Sequence, residues 1–452
     1  MDTEESYDDV LTWPDWDRAR WWYKLAQVCR RWRLLILESP IRLGLHLVCT
    51  YGTPVANMLA HSPPLPLIIN YMDKVREASV EDEEAILVAL QHRDRVRRIG
   101  LWMPAPNLLN PIKAMVGQFP VLERLFIWPR VEHNMNLILP TSFQAPHLRM
   151  LGLTCVALPT RSLLLTTTVG LVSLSLWDIP FVAYFHPSYV VARLSTMPQL
   201  ECLTIGFKYP IPTRDIERIP LDIGTHLTLP NVRQFFFRGM GAYLEGLLVR
   251  IRAPLLKVLQ IWLFNQPTLI LPHLLQFMGT AENLRFNFFQ LTFYRDGVVL
   301  SADRREGDRI NPFDVTIPCR HLDWQVSVAA QIFNALEPTL SIVERLALDY
   351  EKHDLSSEWH DEINRTQWRE LLRPFNSVKA LHVAGGIIGG LSRSLQAENG
   401  EPPLELLPEL KELIYDKGDD SGDAFTPFIN ARQVAGRSVT LICLPPPLSL
   451  WY

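Results

Sequence analysis

The stretch "APHLRMLGL" (145–153) decides how this sequence folds. Its three leucines, Leu148, Leu151 and Leu153, are spaced three and then two residues apart. A half-buried strand places an apolar residue at every second position, so the first leucine needs a different explanation. We expect Leu151 and Leu153 to point inward from a short strand, while Leu148 closes the preceding turn over the same core.

The same L-x-x-L-x-L pattern, with other large apolar residues allowed, recurs along most of the chain. Its copies begin at Val96, Leu122, Leu148, Leu171, Leu200, Val232, Leu256, Val343, Val378 and Leu410. A degenerate copy, "LRFNFF" from Leu284, has Asn287 at the middle apolar position. Successive starts lie 23 to 35 residues apart except for one gap of 59, which predicts a hidden copy near "PFDVTIP" (312–318).

Recurrence of this motif at this period is typical of leucine-rich repeats. One repeat cannot bury its apolar face alone, so neighbouring repeats stack into a continuous core. Segments with helical spacing lie between the copies, at 243–251, 273–279 and 326–336. The sequence therefore predicts an α/β repeat fold, an irregular leucine-rich-repeat solenoid with parallel strands on the concave side and helices on the convex side.

The repeats depart from the usual pattern in one respect. The Asn or Cys expected three residues after the last apolar position is absent, and Arg130, Val156, Ile179 and Lys208 stand there instead. We therefore expect an uneven solenoid.

Composition limits the class of protein. The chain has 452 residues, of which 48% are hydrophobic, and a net charge of −4, which argues against disorder and against one ordinary compact core. A pI near 6.3 argues against a nucleic-acid partner. Six cysteines without a CxxC pair favour a reducing cytoplasmic or nuclear location. The N-terminus has no apolar signal segment and no run is long enough to cross a bilayer, so we expect no membrane partner.

The segment 18–48 differs from the repeats. One helical face would carry its apolar residues, Leu25, Val28, Cys29, Trp32, Leu35 and Ile36. Arg30, Arg31 and Arg33 lie among the residues off that face, and Ser39 and Pro40 break the helix. Such a helix can lie on a membrane, dock in a calmodulin-like groove, or simply cap the solenoid.

A further interpretation comes from resemblance. "LAQVCRRWRLLILESPIRLGLHL" (25–47) resembles the second half of an F-box, in which a Val-Cys-x-x-Trp helix precedes a Ser-Pro break and a short apolar strand. The chain is similar to fungal F-box proteins with an irregular leucine-rich-repeat region, also over 50–71 and 319–325.

That resemblance implies a short all-α F-box-like module and a role in protein degradation. The F-box would bind the adaptor subunit, and through it the cullin scaffold, of an SCF-type ubiquitin ligase, while the repeats hold a substrate protein. It implies adaptor contacts at Leu25, Val28, Cys29, Trp32, Leu35 and Pro40. The opening Leu-Pro-x-Glu helix of an F-box is missing, since only "YDDVL" (7–11) precedes "TWPDWDRAR". The alternative is a repeat scaffold that has lost its coupling to the ligase.

These observations divide the chain into four predicted parts. Residues 1–49 form a partial F-box-like module, 50–91 a linker and N-terminal cap, 92–445 the repeat domain, and 446–452 a tail.

Alternation along each strand predicts the substrate surface. Residues that flank the inward apolar positions should face the concave side. The predicted substrate-binding residues are Trp102, Arg124, Phe126, Trp128, Trp177, Phe236, Arg238, Trp262, Phe288 and Arg345; the same rule places Arg98, Phe286 and Asp349 there. Tryptophan, phenylalanine and arginine are common anchors of protein interfaces, although these rings could instead hold the inner rim of the solenoid.

The enzyme-like motifs are weak. "RGMGAYLEG" (238–246) has Leu244 where a dinucleotide fingerprint needs glycine. "AGGIIGGLSRS" (384–394) lacks the Lys-Ser/Thr of a phosphate loop and indicates a flexible turn. "DKGDDSGD" (416–423) is too short for a calcium loop. We therefore expect no catalytic residues, no metal and no cofactor.

Overall fold

The computed structural model describes thirteen parts of the chain and divides it into two compact units, 1–212 and 213–452. The described residues are 24, 27–38, 45–73, 75–130, 136–208, 226–264, 271–279, 284, 286–303, 312–350, 365–396, 406–416 and 424–444. Each unit is considered by itself below.

The repeated motif folds as a turn followed by a strand. The N–H of Leu148 donates to the carbonyl of Ala145 at 3.0 Å, and Pro146 occupies the second position of that turn, where its fixed φ is favourable. The same bond closes the turns that end at Leu122, Leu200, Leu256 and Leu410. Leu151 and Leu153 are each 1% exposed. The three-then-two spacing therefore combines a turn residue with two strand residues over one core, as predicted.

Unit 1 contains nine described strands: β1 Leu47–Cys49, β2 Leu67–Tyr71, β3 Val96–Met103, β4 Arg124–Pro129, β5 Leu137–Ile138, β6 Met150–Thr154, β7 Val156–Ala157, β8 Ser173–Ile179 and β9 Cys202–Phe207. Seven of them pair in the order β1-β2-β3-β4-β6-β8-β9, each parallel to its neighbour. The middle apolar residues align across the sheet, as Leu125 pairs with Leu151 and Leu151 with Leu174. Strands β5 and β7 pair separately on the connecting segments.

The described helices of unit 1 are α1 Arg30–Glu38, α2 Val55–His61, α3 Val80–Gln91, α4 Ala105–Ala114, α5 Leu164–Thr167 and α6 Pro187–Leu194, with a 3₁₀ turn at Phe181–Ala183. Helix α3 begins with a capping box, in which the Ser79 hydroxyl accepts the N–H of Asp82 and the Asp82 carboxylate accepts the N–H of Ser79. The other Asp82 oxygen accepts the N–H of Gly52 at 2.8 Å. This buried carboxylate therefore ties α3 to the loop that follows β1.

The sheet begins well before the first predicted copy of the motif. Strands β1 and β2 pair in parallel with each other, and β2 pairs with β3. Residues 47–71, which span the end of the expected F-box-like module and the start of the expected linker, thus already contribute repeat-type strands.

The strands of unit 2 are β10 Leu227–Thr228, β11 Gln234–Gly239, β12 Ile251–Arg252, β13 Val258–Leu263, β14 Phe288–Tyr294, β15 Gly297–Asp303, β16 Phe313–Pro318, β17 Arg345–Tyr350, β18 Ala380–Val383, β19 Glu412–Asp416 and β20 Thr440–Leu444. Nine of them pair in the order β11-β13-β16-β15-β14-β17-β18-β19-β20, and β10 pairs with β12. The predicted copy at 312–318 exists as β16, which pairs with β13.

The expectation of an all-parallel sheet is wrong at β15. This strand pairs antiparallel with both β14 and β16, so the sheet of unit 2 is mixed. Strands β14 and β15 are joined by the two residues Arg295 and Asp296, a short connection that is possible only between antiparallel neighbours. The alternating run "FFQLTFY" (288–294), followed two residues later by "GVVLSAD" (297–303), is the sequence signal that could have predicted this hairpin.

The prediction that the degenerate copy starts at Leu284 is wrong by two residues. Phe289 pairs with Leu346, the middle apolar residue of the next parallel copy, and Leu291 pairs with Leu348. The true copy therefore starts at Phe286, which is 3% exposed and packs on Phe313 with ring centroids 5.5 Å apart. Phe286 therefore belongs to the core and not to the predicted substrate surface. Phenylalanines take the apolar positions of this copy, and Leu284 lies before it.

The described helices of unit 2 are α7 Gly241–Leu248, α8 Pro272–Gly279, α9 Leu322–Ala335, α10 Glu337–Leu340, α11 Arg365–Leu372, α12 Ile388–Leu395 and α13 Thr426–Val434. The buried Glu245 carboxylate accepts the N–H groups of His273 and Leu274 in the first turn of α8. The "RGMGAYLEG" segment thus connects β11 to α7, and Glu245 of α7 caps the N-terminus of α8.

The segment 384–394 is not a flexible turn. It forms a 3₁₀ turn at Gly385–Ile387 and then α12. Gly385 has a φ of +75°, and a Cβ there would lie 2.5 Å from the Tyr350 carbonyl oxygen, so glycine is required for close approach.

Candidate functional site

Each sheet has one face packed against the core and one open face. In β3, Ile99, Leu101 and Met103 are at most 1% exposed, and α4 contacts this strand. Residues between them point to the opposite side because side chains alternate along a strand. We call that side the open face, and in-register pairing arranges its residues in rows.

Two rows of the unit 1 open face carry four of the five substrate residues predicted in that unit, Trp102, Arg124, Trp128 and Trp177. The first row contains Val48, Ile68, Arg98, Arg124, Met150, Ser173 and Cys202. At the other end of the strands, Trp102 pairs with Trp128 and Thr154 pairs with Trp177. The structure therefore brings Arg98 and Arg124 together in one place and Trp102 and Trp128 together in another.

Two predicted contact residues lie flat over glycines of the next strand. A Cβ on Gly152 would lie 2.4 Å from the ring of Phe126, and a Cβ on Gly206 would lie 2.6 Å from the ring of Trp177. Phe126 faces this side of the sheet but is only 7% exposed, so little of its ring is open to a partner. Its ring is buried because the neighbouring strand leaves space for it, whereas Trp177 covers its glycine and remains partly exposed.

The tryptophan pair forms one end of the face. The Trp102 and Trp128 rings are 6.3 Å apart and both are partly exposed. The Arg130 guanidinium stacks 5.2 Å from the Trp102 ring and donates at 2.7 Å to the carbonyl of Asp73. Arg130 was not among the predicted site residues; it stands at the position where an asparagine was expected, and that departure was its sequence signal.

The arginine pair forms the other end. Burial lowers the pKa of the Arg98 guanidinium, and the positive charges of Arg124 and Arg97 lower it further. Arg97 has a partner, since it pairs with Glu123 at 2.8 Å. Among the described residues, Arg98 and Arg124 have no ion pair, and the buried Nε of Arg98 has no hydrogen-bond acceptor.

The unit 2 face begins with aromatic and arginine side chains. Arg238 pairs in register with Trp262, and its guanidinium lies 5.1 Å from the Trp262 ring and 6.0 Å from that of Phe264. Phe236 lies on the open face but is 7% exposed, so little of its ring is open to a partner, as with Phe126.

A polar row crosses the centre of the unit 2 face. Gln260 pairs with Asp314, Asp314 with Ser301, and Ser301 with Gln290. The Asp314 carboxylate accepts the Ser301 hydroxyl at 3.1 Å and the Thr316 hydroxyl at 3.3 Å. Burial nevertheless raises the pKa of the Asp314 carboxyl to about 6. Asp314 was not among the predicted site residues, because the sequence predicted β16 but not its antiparallel neighbour β15.

The last two predicted substrate residues, Phe288 and Arg345, are paired in register on the same face. The Arg345 guanidinium lies 5.7 Å from the Phe288 ring. Asp349 also faces this side, opposite Thr292.

Helix α1 holds the described part of the predicted adaptor surface. Val28, Trp32 and Leu35 are 65%, 48% and 56% exposed, whereas Ile36 is 5% exposed. Helix α1 starts at Arg30, so Val28 and Cys29 precede it; the Cys29 Sγ accepts the N–H of Trp32 at 3.5 Å. The continuous helical face expected from Leu25 to Ile36 is thus interrupted. Leu25 and Pro40 lie outside the described residues.

Among the described residues, no group of three His, Cys, Asp or Glu side chains is placed to hold a metal ion. None of the described helices is both long and apolar enough to cross a bilayer.

Comparison with known proteins adds little to these observations. No family model matches the chain, and no curated protein matches it. Among solved structures, the chain is similar to the leucine-rich repeat-containing protein LegL7 from Legionella pneumophila, with 10% sequence identity, a TM-score of 0.26, and coverage of 88% of this chain and 99% of that one. A TM-score of this size carries no argument, so the repeat architecture rests on strand pairing and on the burial of the motif residues.

Proposed function

We propose that this chain is the substrate-recognition subunit of an SCF-type cullin ubiquitin ligase. The open faces of its repeat domain bind a target protein, and α1 with the residues before it contacts the ligase adaptor. The chain itself catalyses no reaction and needs no cofactor, and it works in the cytoplasm or nucleus.

The observation that supports target binding is the set of partly exposed aromatic and arginine side chains on rigid strands. Trp102, Trp128 and Trp262 each present a large ring to solvent beside an arginine or another tryptophan. Such residues supply most of the binding energy at protein interfaces. Strands hold them in place, so little conformational entropy is lost on binding.

The observation that supports adaptor binding is the apolar surface of α1. Trp32 and Leu35 lie three residues apart on one side of α1, Val28 lies just before the helix, and about half or more of each is exposed. Exposed apolar groups of this size commonly mark a protein interface.

The adaptor test is a binding measurement with the purified adaptor subunit and the full chain. We expect a Kd of about 1 μM or tighter for the wild type, and loss of binding for Val28→Asp with Trp32→Ala. Leu34→Ala is the matched control, because Leu34 is 51% exposed on α1 but lies off the side formed by Trp32 and Leu35. It should bind like the wild type.

Absence of adaptor binding by the wild type would contradict the ligase part of the proposal. It would favour the second candidate, a repeat scaffold without ligase coupling. Target binding is tested separately with the variant Trp102→Ala, Trp128→Ala. Proteins that can be cross-linked to the wild-type chain in cells should no longer be cross-linked to this variant. The variant should unfold at the same temperature as the wild type.

A further inference from the structure

We propose that the open face of unit 1 selects an acidic segment of a partner protein, with Arg98 and Arg124 binding its carboxylates and Trp102 and Trp128 contacting a nearby apolar residue. This inference rests on the proposed target binding by the repeat domain and names the chemical class of the segment that binds.

The first argument is unbalanced charge. The outward positions of the sheet from Val48 to Thr204 include Arg98 and Arg124 and no carboxylate. The nearby Glu123 is already paired with Arg97, and Asp178, in the bulge after Trp177, is buried. The Glu123 carboxylate also attracts Arg98, but the repulsion from Arg124 and Arg97 is larger, so positive charge is in excess at this end of the face.

The second argument is desolvation. Arg98 and Arg124 stand side by side on strands that are about 4.8 Å apart, so their charges repel each other. Partial burial of Arg98 strengthens that repulsion, since less water screens it. A carboxylate placed between the two would remove the repulsion and form charge-assisted hydrogen bonds, for which the arginine fork is well shaped.

A third observation concerns the neighbouring strand. Asn70 lies on the open face of β2, opposite Gly100, and its buried Oδ1 has no hydrogen-bond partner. The Asn70 oxygen can accept a hydrogen bond and the Arg98 Nε–H can donate one. Neither atom has a hydrogen-bond partner within the described chain.

The spacing of the two ends defines the ligand further. Arg98 and Trp102 are four residues apart on β3, as are Arg124 and Trp128 on β4, which corresponds to about 13 Å along a strand. An extended peptide that runs along the strands reaches both ends when its acidic and large apolar residues are three to five positions apart. We therefore expect that spacing, in either direction, among the peptides that bind.

The test is selection from a random peptide library on phage, with peptides of about twelve residues, on the immobilised full chain at about 150 mM salt. We expect Asp and Glu to be enriched about threefold or more over the input, three to five positions from an aromatic or aliphatic residue. The variant Arg98→Gln with Arg124→Gln should lose the acidic enrichment and bind the best acidic peptide about tenfold more weakly.

The control variant is Lys113→Gln with Arg161→Gln. It also removes two positive charges from unit 1, but at exposed positions outside the sheet. This variant should retain the acidic enrichment. If the enrichment is lost, the selection reflects net charge alone and the inference fails. Circular dichroism and the unfolding temperature show whether each variant is folded.

The remaining outcomes separate the inference from the proposed function. Enriched peptides without an acidic preference, which the Trp102→Ala and Trp128→Ala changes abolish, would overturn the inference and leave target binding by the open face intact. No enrichment on the wild type would count against both. Adaptor binding by α1 does not depend on either result.

Discussion

The open faces of the two units differ, although their cores are built in the same way. In both, the apolar residues of the motif pair in register and are almost completely buried, as with Leu125 and Leu151 in unit 1 and Leu259 and Phe313 in unit 2. The unit 1 face carries tryptophan and arginine and, on its outward strand positions, no carboxylate. The unit 2 face carries the carboxylates of Asp303, Asp314, Asp349 and Glu412. The comparison teaches that the repeat fixes the core and leaves the open face free to diverge.

The largest expected effect tests whether the two cores are equivalent. Leu151→Ala in β6 and Leu259→Ala in β13 each remove a fully buried side chain between in-register neighbours, so each should cost about 3 kcal/mol of unfolding free energy. The outward neighbours supply the controls, since Met150→Ala and Gln260→Ala should each cost less than about 1 kcal/mol. Urea unfolding followed by tryptophan fluorescence measures all four, and a much smaller cost at only one leucine would break the equivalence.

The second effect belongs to unit 2 alone. Because Asp314 has a pKa of about 6 in the folded chain and about 4 when unfolded, the folded state binds more protons between these values. Stability is then lost as the pH rises from about 4 through 6, and the carboxylate destabilises the fold at pH 7. Relative to the wild type, Asp314→Asn should gain about 2 kcal/mol more at pH 7 than at pH 4. Urea midpoints at the two pH values check this, and a pH-independent difference would contradict it.

The third effect separates the glycines of the two sheets. Gly152→Ala should cost about 1 kcal/mol because the Phe126 ring must move, and the same change should be nearly neutral when Phe126 is already alanine. In unit 2, a Cβ on Gly297 would meet the Ile317 carbonyl oxygen at 2.8 Å, and backbone cannot move aside so easily. We therefore expect Gly297→Ala to cost about 2 kcal/mol or more. Relief of that cost by truncating a neighbouring side chain would show that the strain is not in the backbone.

The smallest effect compares the two stacked arginines. Double-mutant cycles on Arg130 with Trp102 and on Arg238 with Trp262 should each give a coupling of about 0.5–1 kcal/mol. Arg238 should also couple to Phe264, whose ring is 6.0 Å away. If the first cycle gives zero, Arg130 is held by its bonds to the Asp73 and Arg76 carbonyls and not by the ring.

Much of the architecture follows from the sequence alone. The three-then-two spacing predicts a turn residue and two inward strand residues, and the structure has this arrangement at the undegenerate copies from Leu122 to Leu410, whereas Val96 already lies in β3. The pattern is reliable because every repeat must direct its apolar side chains into the shared core, where neighbouring repeats complete their burial. The rule also predicts the open-face positions of Trp102, Arg124 and Trp262.

Other features depend on strand neighbours, which the tertiary structure decides. Phe126 and Trp177 sit over glycines of the next strand, the antiparallel β15 separates β14 from β16, and the pKa of Asp314 depends on hydroxyls contributed by β15 and β16. Arg98 and Arg124 become one site only because β3 and β4 pair in that register. A local pattern fixes which side of a strand a residue faces, but its exposure, charge and partners come from residues that are distant in the sequence.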